Sequence, residues 1–68
     1  MKYEINGKRY DVNSVEFDGE IINILNSSIT DLSYSGGKGY SVFDCGDEVF
    51  FETFDEAYNF VLEQNGRK

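Results

Sequence analysis

The stretch that decides the fold is Gly39–Asn65, which reads GYSVFDCGDEVFFETFDEAYNFVLEQN. It predicts a β-hairpin that runs directly into an amphipathic helix. Thr53 followed three residues later by Glu56 is a capping box, which marks the helix start. The helix residues that recur at the spacing of one apolar stripe are Phe54, Ala57, Tyr58, Val61 and Leu62. The stretch contains seven acidic residues and no Lys or Arg, so it supplies both core and charge.

A turn at Gly46-Asp47 predicts that Phe43 faces Phe50 and Cys45 faces Glu48. A preceding strand, Ile29–Tyr34, would reach this hairpin through a Gly-rich loop and place Tyr34 opposite Tyr40. The expected inner face is Leu32, Tyr34, Tyr40, Val42, Val49 and Phe51. The expected outer face is Asp31, Ser33, Ser41, Phe43, Cys45, Glu48, Phe50 and Glu52.

The chain begins with MKYEINGKRYDV, in which Asn6-Gly7 is a strong signal for a hairpin with a type I′ turn. A two-residue turn pairs Tyr3 with Tyr10 and Lys2 with Asp11. Tyr3, Ile5, Tyr10 and Val12 then share one face. The opposite-charge pairs Lys2/Asp11 and Glu4/Arg9 lie on the other.

Residues 13–28 allow two interpretations. Asp18-Gly19 is a second type I′ candidate and predicts a hairpin whose second strand reaches about Leu25. A helix capped by Asp18 would instead align Ile21, Ile22, Leu25, Ile29 and Leu32. The Ile, Asn and Ser residues of positions 21–29 are mediocre helix formers, which favours the strand.

The sequence therefore predicts a single α+β domain over residues 1–68. Its architecture is an antiparallel β-meander of about five or six strands with one C-terminal helix packed on one face.

A formal net charge of −7 argues against direct binding to nucleic acid or to an anionic membrane, since both need cations to neutralise phosphates. Lys38 is the only basic residue between Tyr10 and Gly66. A charge of this size also keeps a small domain soluble. The single cysteine, and the absence of a signal-like or membrane-spanning apolar run, predict a cytoplasmic location.

Catalytic chemistry is not expected. Because the chain has no histidine, Ser-His, Cys-His and His-metal arrangements are excluded. Cys45 opposite Glu48 would be a poor nucleophile, and the loop Ser35–Gly39 lacks the P-loop pattern. The acids lack calcium-loop spacing. No catalytic residue, metal or cofactor is predicted.

Phe43 and Phe50, with Phe60 as a third aromatic nearby, are predicted on the outer face among acids. Residues 13–28 could cover them as a second core. Otherwise they form an aromatic anchor inside an acidic rim, which is how interfaces concentrate binding energy, or a homodimer contact.

In size, charge and layout, without a shared motif, the chain resembles the small acidic inhibitors that phages encode, including anti-CRISPR proteins and other DNA mimics. The resemblance implies a non-enzymatic inhibitor that blocks a basic nucleic-acid-binding groove of a larger protein in the host cytoplasm. The alternative is a small homodimeric assembly module that uses the aromatic sheet face. The expected partner-binding residues are Phe43, Asp44, Asp47, Glu48, Phe50, Glu52, Asp55, Glu56 and Glu63.

Overall fold

The computed structural model describes residues 1–44 and 46–66, with the side chain of Asp44 left out of the description. Its strands and single α-helix are β1 (Lys2–Ile5), β2 (Lys8–Asp11), β3 (Ser14–Glu16), β4 (Ile21–Ile24), β5 (Ser27–Asp31), β6 (Tyr40–Asp44), β7 (Asp47–Phe51) and α1 (Phe54–Gly66). β1 and β2 form a two-stranded sheet, and β3 to β7 form a five-stranded antiparallel sheet in chain order. The α+β prediction is confirmed.

The first hairpin has the predicted register. Tyr3 pairs with Tyr10 and Lys2 with Asp11, around a turn in which Asn6 and Gly7 both have positive φ. The second hairpin also forms, because Asp18 and Gly19 take positive φ and Glu16 pairs with Ile21. Residues 13–28 therefore contain strands rather than the alternative helix.

The expected strand Ile29–Tyr34 is wrong in its second half. β5 ends at Asp31, and Leu32–Ser35 forms a 3₁₀ turn. The Asp31 carboxylate accepts hydrogen bonds from the backbone N–H of Ser33 at 3.0 Å and from its hydroxyl at 2.7 Å. This local bonding stabilises a turn at the expense of the strand. Consequently Asp31, and not Tyr34, lies opposite Tyr40, and Tyr34 is exposed.

The register predicted for β6 and β7 is also wrong, by two residues. Phe43 lies opposite Glu48 instead of Phe50, and Asp44 lies opposite Asp47. This register places Gly46, at φ +87°, immediately before β7. Because a shift of two residues preserves alternation, Phe43, Glu48 and Phe50 remain on the predicted outer face.

The core lies between the inner face of the five-stranded sheet, the hairpin β1–β2 and α1. Its buried residues are Tyr10, Val12, Ile22, Ile24, Ile29, Val42, Phe54, Ala57 and Val61. The Phe54 ring makes edge contacts with Tyr10 and Tyr40, with ring centres 4.8 and 5.6 Å apart. Hairpin and helix thus share one side of the sheet, and no helix or strand of the described part of the chain covers the other side.

Candidate protein-binding surface

The open face is the side of the five-stranded sheet that points away from α1 and from the β1–β2 hairpin. Strand alternation and the observed registers assign it the side chains of Ser14, Glu16, Ile21, Asn23, Ser28, Thr30, Ser41, Phe43, Glu48 and Phe50. Within residues 1–44 and 46–66, no helix or strand packs over it. The interpretation in which residues 13–28 cover the aromatic pair is wrong, because those residues extend the same sheet.

Phe43 and Phe50 dominate the open face. Their side chains are 55% and 63% exposed. Phe50 pairs with Ser41, two residues from Phe43, so Phe43 and Phe50 are diagonal neighbours, a relationship that brings residues to within about 7–8 Å of each other. Ser41 itself is only 4% exposed, because its small side chain lies between larger ones. The last two strands of the sheet thus expose two aromatic rings to solvent. These rings do not contribute to the core.

Phe60 does not join this pair. Its ring packs on Phe51 with centres 5.2 Å apart. Phe51 belongs to the inner row of β7, opposite Tyr40. The expectation that Phe60 is near Phe43 and Phe50 is therefore wrong.

Acidic side chains border the aromatic pair. Glu48 lies directly opposite Phe43, and Glu52 is exposed just after β7. Asp47 is exposed at the other end of β7, but its register opposite Asp44 places it in the row of the inner face. At the Glu52 end, a shallow hollow is lined by Lys38, Gly39, Phe50, Phe51 and Glu52. At the opposite edge, the carboxylate of Glu16 accepts a hydrogen bond from the amide of Asn23 at 2.7 Å. Negative charge therefore concentrates beside β7.

The helix acids lie on the other side of the molecule. Glu56 forms the predicted capping box, since its carboxylate accepts hydrogen bonds from the backbone N–H and hydroxyl of Thr53 at 3.3 and 3.2 Å. The Glu56 N–H in turn donates to the Thr53 hydroxyl at 3.2 Å. Glu63 lies two turns further along on the same outward side. A single flat partner cannot contact these acids and the open face together.

Asp55 has internal partners. Its carboxylate accepts a hydrogen bond from the Tyr10 hydroxyl at 2.9 Å, from the Asn59 amide at 3.1 Å, and lies 3.5 Å from the Lys8 ammonium. The Tyr10 hydrogen bond, followed by the charge of Lys8, lowers the pKa of the Asp55 carboxyl from its usual value of 3.8. Asp55 therefore joins α1 to the first hairpin.

The predicted partner-binding residues thus divide into two groups. Phe43, Glu48 and Phe50 lie on the open face, with Asp47 and Glu52 at the same edge, whereas Asp55, Glu56 and Glu63 belong to α1. The prediction for the Asp44 side chain and the prediction that Cys45 is unreactive fall outside the described residues. Ile21, on the open face, was not predicted. Its alternation with the buried Ile22 and Ile24 was the available signal.

Among the described residues, no three His, Cys, Asp or Glu side chains converge as a metal ion would require. The helix found between residues 54 and 66 is too short to cross a membrane, and the described chain contains no other α-helix. Comparison with known proteins gives no match, whether with protein-family models, curated proteins or solved structures.

Proposed function

We propose that this chain is a non-enzymatic inhibitor that covers a basic, nucleic-acid-binding groove of a larger protein, and that the open face makes the contact. The observation that carries the proposal is the exposure of Phe43 and Phe50 on a sheet face beside Glu48. Exposed aromatic rings inside a charged rim supply much of the energy of protein interfaces.

Charge favours a basic partner. The carboxylates of Asp47, Glu48 and Glu52 lie along β7, and among the described residues Lys38 is the one cation that lines the neighbouring hollow. A surface of this sign attracts Lys and Arg side chains and accelerates association at low salt. Grooves that bind nucleic acid carry such side chains. The chain resembles the small acidic inhibitors of phages in size and charge. Those inhibitors block such grooves in the host cytoplasm, and we propose the same location for this chain.

The competing function is a homodimeric assembly module, which the same exposed Phe43 and Phe50 favour. A face-to-face dimer would repeat the same acidic rim on both partners, so that like charges would approach each other. Salt distinguishes the two functions. Screening weakens binding to a basic target and strengthens association between two acidic copies.

The test begins with capture of the target from bacterial lysate at about 100 mM salt, where surface charges are only partly screened, with duplex DNA as competitor. Affinity for the purified target is then compared for two matched double variants. Glu48→Gln/Glu52→Gln removes two charges from the open-face edge, and Glu56→Gln/Glu63→Gln removes two from α1. Glutamine preserves the capping box.

We expect the open-face variant to lose more than about tenfold in affinity and the helix variant less than about threefold, which correspond to roughly 1.4 and 0.6 kcal/mol. Phe50→Thr should lose at least as much as the open-face variant. Equal losses in both double variants would place the contact elsewhere. A dimer that strengthens with salt and dissociates in Phe50→Thr would establish the assembly function instead.

A further inference from the structure

β7 is an edge strand of the five-stranded sheet, so its backbone groups can contribute to binding as well as its side chains. β7 pairs with β6, and within residues 1–44 and 46–66 no strand pairs with its other edge. Edge strands with unpaired backbone groups are templates for an additional strand. Which backbone groups point outward follows from the hydrogen-bond pattern of the neighbouring strands.

In an antiparallel sheet, hydrogen-bonded and non-hydrogen-bonded pairs alternate along two strands. The backbone N–H of Leu32 donates to the carbonyl of Gly39 at 3.1 Å. Continuing that register, Ser41 and Phe43 direct their backbone groups towards β5. Tyr40 and Val42 therefore bond to β7, through Phe51 and Val49. The N–H and C=O groups of Glu48 and Phe50 consequently point away from β6, to the free edge.

The same two residues place their side chains on the open face. Phe50 is 63% exposed and Glu48 is exposed beside it. An extended segment that paired with β7 could therefore form four backbone hydrogen bonds with Glu48 and Phe50, two donated by their N–H groups and two accepted by their carbonyl oxygens. Its own side chains on that face would lie next to one aromatic ring and one carboxylate. This combination of backbone bonds and side-chain contacts is the mode of recognition by strand addition.

We propose that the free edge of β7 binds an extended, Lys- or Arg-rich segment of the target protein by strand addition. The inference rests on the proposed function and specifies how the target is held. Charge selects the basic occupant, because Asp47, Glu48 and Glu52 accompany the edge and Lys38 is the cation next to them. Opposite charges on adjacent strands stabilise pairing, and like charges oppose it.

A second copy is disfavoured at this edge. Antiparallel pairing of two β7 strands through their outward backbone groups would set Glu48 opposite Phe50 of the other copy. The two Glu48 side chains would then be diagonal neighbours on one face, about 7–8 Å apart. Asp47 of each copy would add a further negative charge, and no basic residue lies in β7 to compensate.

Amide hydrogen exchange followed by NMR tests the proposal directly. In the free protein, the amides of Glu48 and Phe50 should exchange quickly, and the amide of Val49 should be protected by its bond to β6. The probe is a synthetic octapeptide of alternating Lys and Val at low salt. It should protect the Glu48 and Phe50 amides by about tenfold or more. The same peptide with alternate backbone nitrogens methylated should not.

Two variants separate backbone pairing from charge. Glu48→Gln removes the charge and keeps the N–H, whereas Glu48→Pro removes both. Proline is tolerated on an edge strand where the N–H faces solvent, so both variants should fold. We expect the peptide to bind Glu48→Pro at least about fivefold more weakly than Glu48→Gln, a difference of roughly 1 kcal/mol.

The proposal is wrong if the peptide does not bind, or binds without protecting these amides. Equal affinity of the two folded variants would also overturn it, as would protection that rises with protein concentration in the absence of peptide, since a second copy would then occupy the edge. The purified target gives an independent result. A target that binds through the open face without protecting Glu48 and Phe50 preserves the proposed function and removes strand addition alone.

Discussion

The hydroxyl of Tyr10 in β2 donates a hydrogen bond of 2.9 Å to the carboxylate of Asp55 in the first turn of α1, across 45 residues of sequence. Tyr10 also packs its ring against Phe54 and Tyr58, with centres 4.8 Å away in each case. The contact therefore joins the first hairpin to the helix by a polar and an apolar interaction at once. Asp55, which the sequence predicted to bind a partner, therefore stabilises the fold.

The first prediction concerns acid pH. The hydrogen bond from Tyr10 lowers the pKa of Asp55 in the folded state, so ionised Asp55 stabilises the fold above its usual pKa of 3.8. That stability should be lost as pH falls through the lowered value. The difference in unfolding free energy between the wild type and Asp55→Asn should therefore shrink with acidification, as measured by urea unfolding at several pH values.

Tyr10→Phe provides the control for this experiment, because it keeps the ring and removes the donor. In that background, the effect of Asp55→Asn should depend much less on pH. An unchanged pH dependence would mean that Lys8, at 3.5 Å from the carboxylate, dominates the interaction.

A second prediction concerns alkaline pH. Burial raises the pKa of the Tyr3, Tyr10 and Tyr40 hydroxyls above their usual value of 10.0, and nearby acids add to the increase. Their protonated form stabilises the fold fully below that pH, and the stability is lost as pH rises through the raised values. Unfolding should therefore begin above pH 10.0. Absorbance at the tyrosinate band should rise together with the loss of circular dichroism, and separate transitions would contradict this prediction.

A third prediction concerns Gly39. Its φ is +84°, and a Cβ there would lie 2.5 Å from the carbonyl oxygen of Phe51. Gly39→Ala should lower the unfolding free energy by more than about 2 kcal/mol, since steric conflict adds to backbone strain. Gly36 has a similar φ of +88° but open space around it, so Gly36→Ala should cost only the strain, about 1–2 kcal/mol. Equal losses would show that the close approach at Gly39 relaxes freely.

A fourth prediction compares neighbours on β6. Val42 is fully buried and Phe43 is 55% exposed. Val42→Ala should cost about 2 kcal/mol, because it removes buried methyl groups and leaves a cavity. Phe43→Thr removes more atoms and should still cost less than about 1 kcal/mol. A larger loss in Phe43→Thr, measured by denaturant unfolding, would indicate that the open face is part of the folded core.

The last prediction concerns Phe17, an exposed aromatic residue with φ +54°. Bulky side chains are strained in this conformation, whereas Asn tolerates it. Phe17→Asn should raise the unfolding free energy by about 0.5–1 kcal/mol. Thermal unfolding measures this, and Asn6→Phe, which places an aromatic side chain at the similar φ of +52°, should have the opposite effect.

The hairpins and the helix start were predictable because each depends on interactions between residues close together in the sequence. Asn6-Gly7 and Asp18-Gly19 tolerate positive φ and so define two hairpins. Thr53 and Glu56 cap the helix with side chains that are three residues apart. In each case the interacting groups are neighbours in the sequence, so their effect is nearly independent of the remaining chain.

The turn after β4 could not be predicted from local sequence. Leu25 takes φ +54°, a conformation that leucine rarely adopts and that the neighbouring residues do not predict. The bend is stabilised from elsewhere, because the Asn13 amide donates to the Leu25 carbonyl at 3.0 Å and Ile24 is buried in the core. Tertiary packing therefore overrides a local preference at this turn.

The sequence by itself determined the α+β class, the first hairpin, the capped helix and the alternation that puts Phe43 and Phe50 on one face, because each depends on short-range geometry. It favoured the second hairpin over a helix without excluding the helix. The tertiary structure alone decided that residues 13–28 extend the sheet without covering it, and that the helix acids lie on the side opposite the aromatic pair. These outcomes depend on which surfaces pack together. They are selected by the free energy of burying the apolar inner face, to which residues far apart in the sequence contribute.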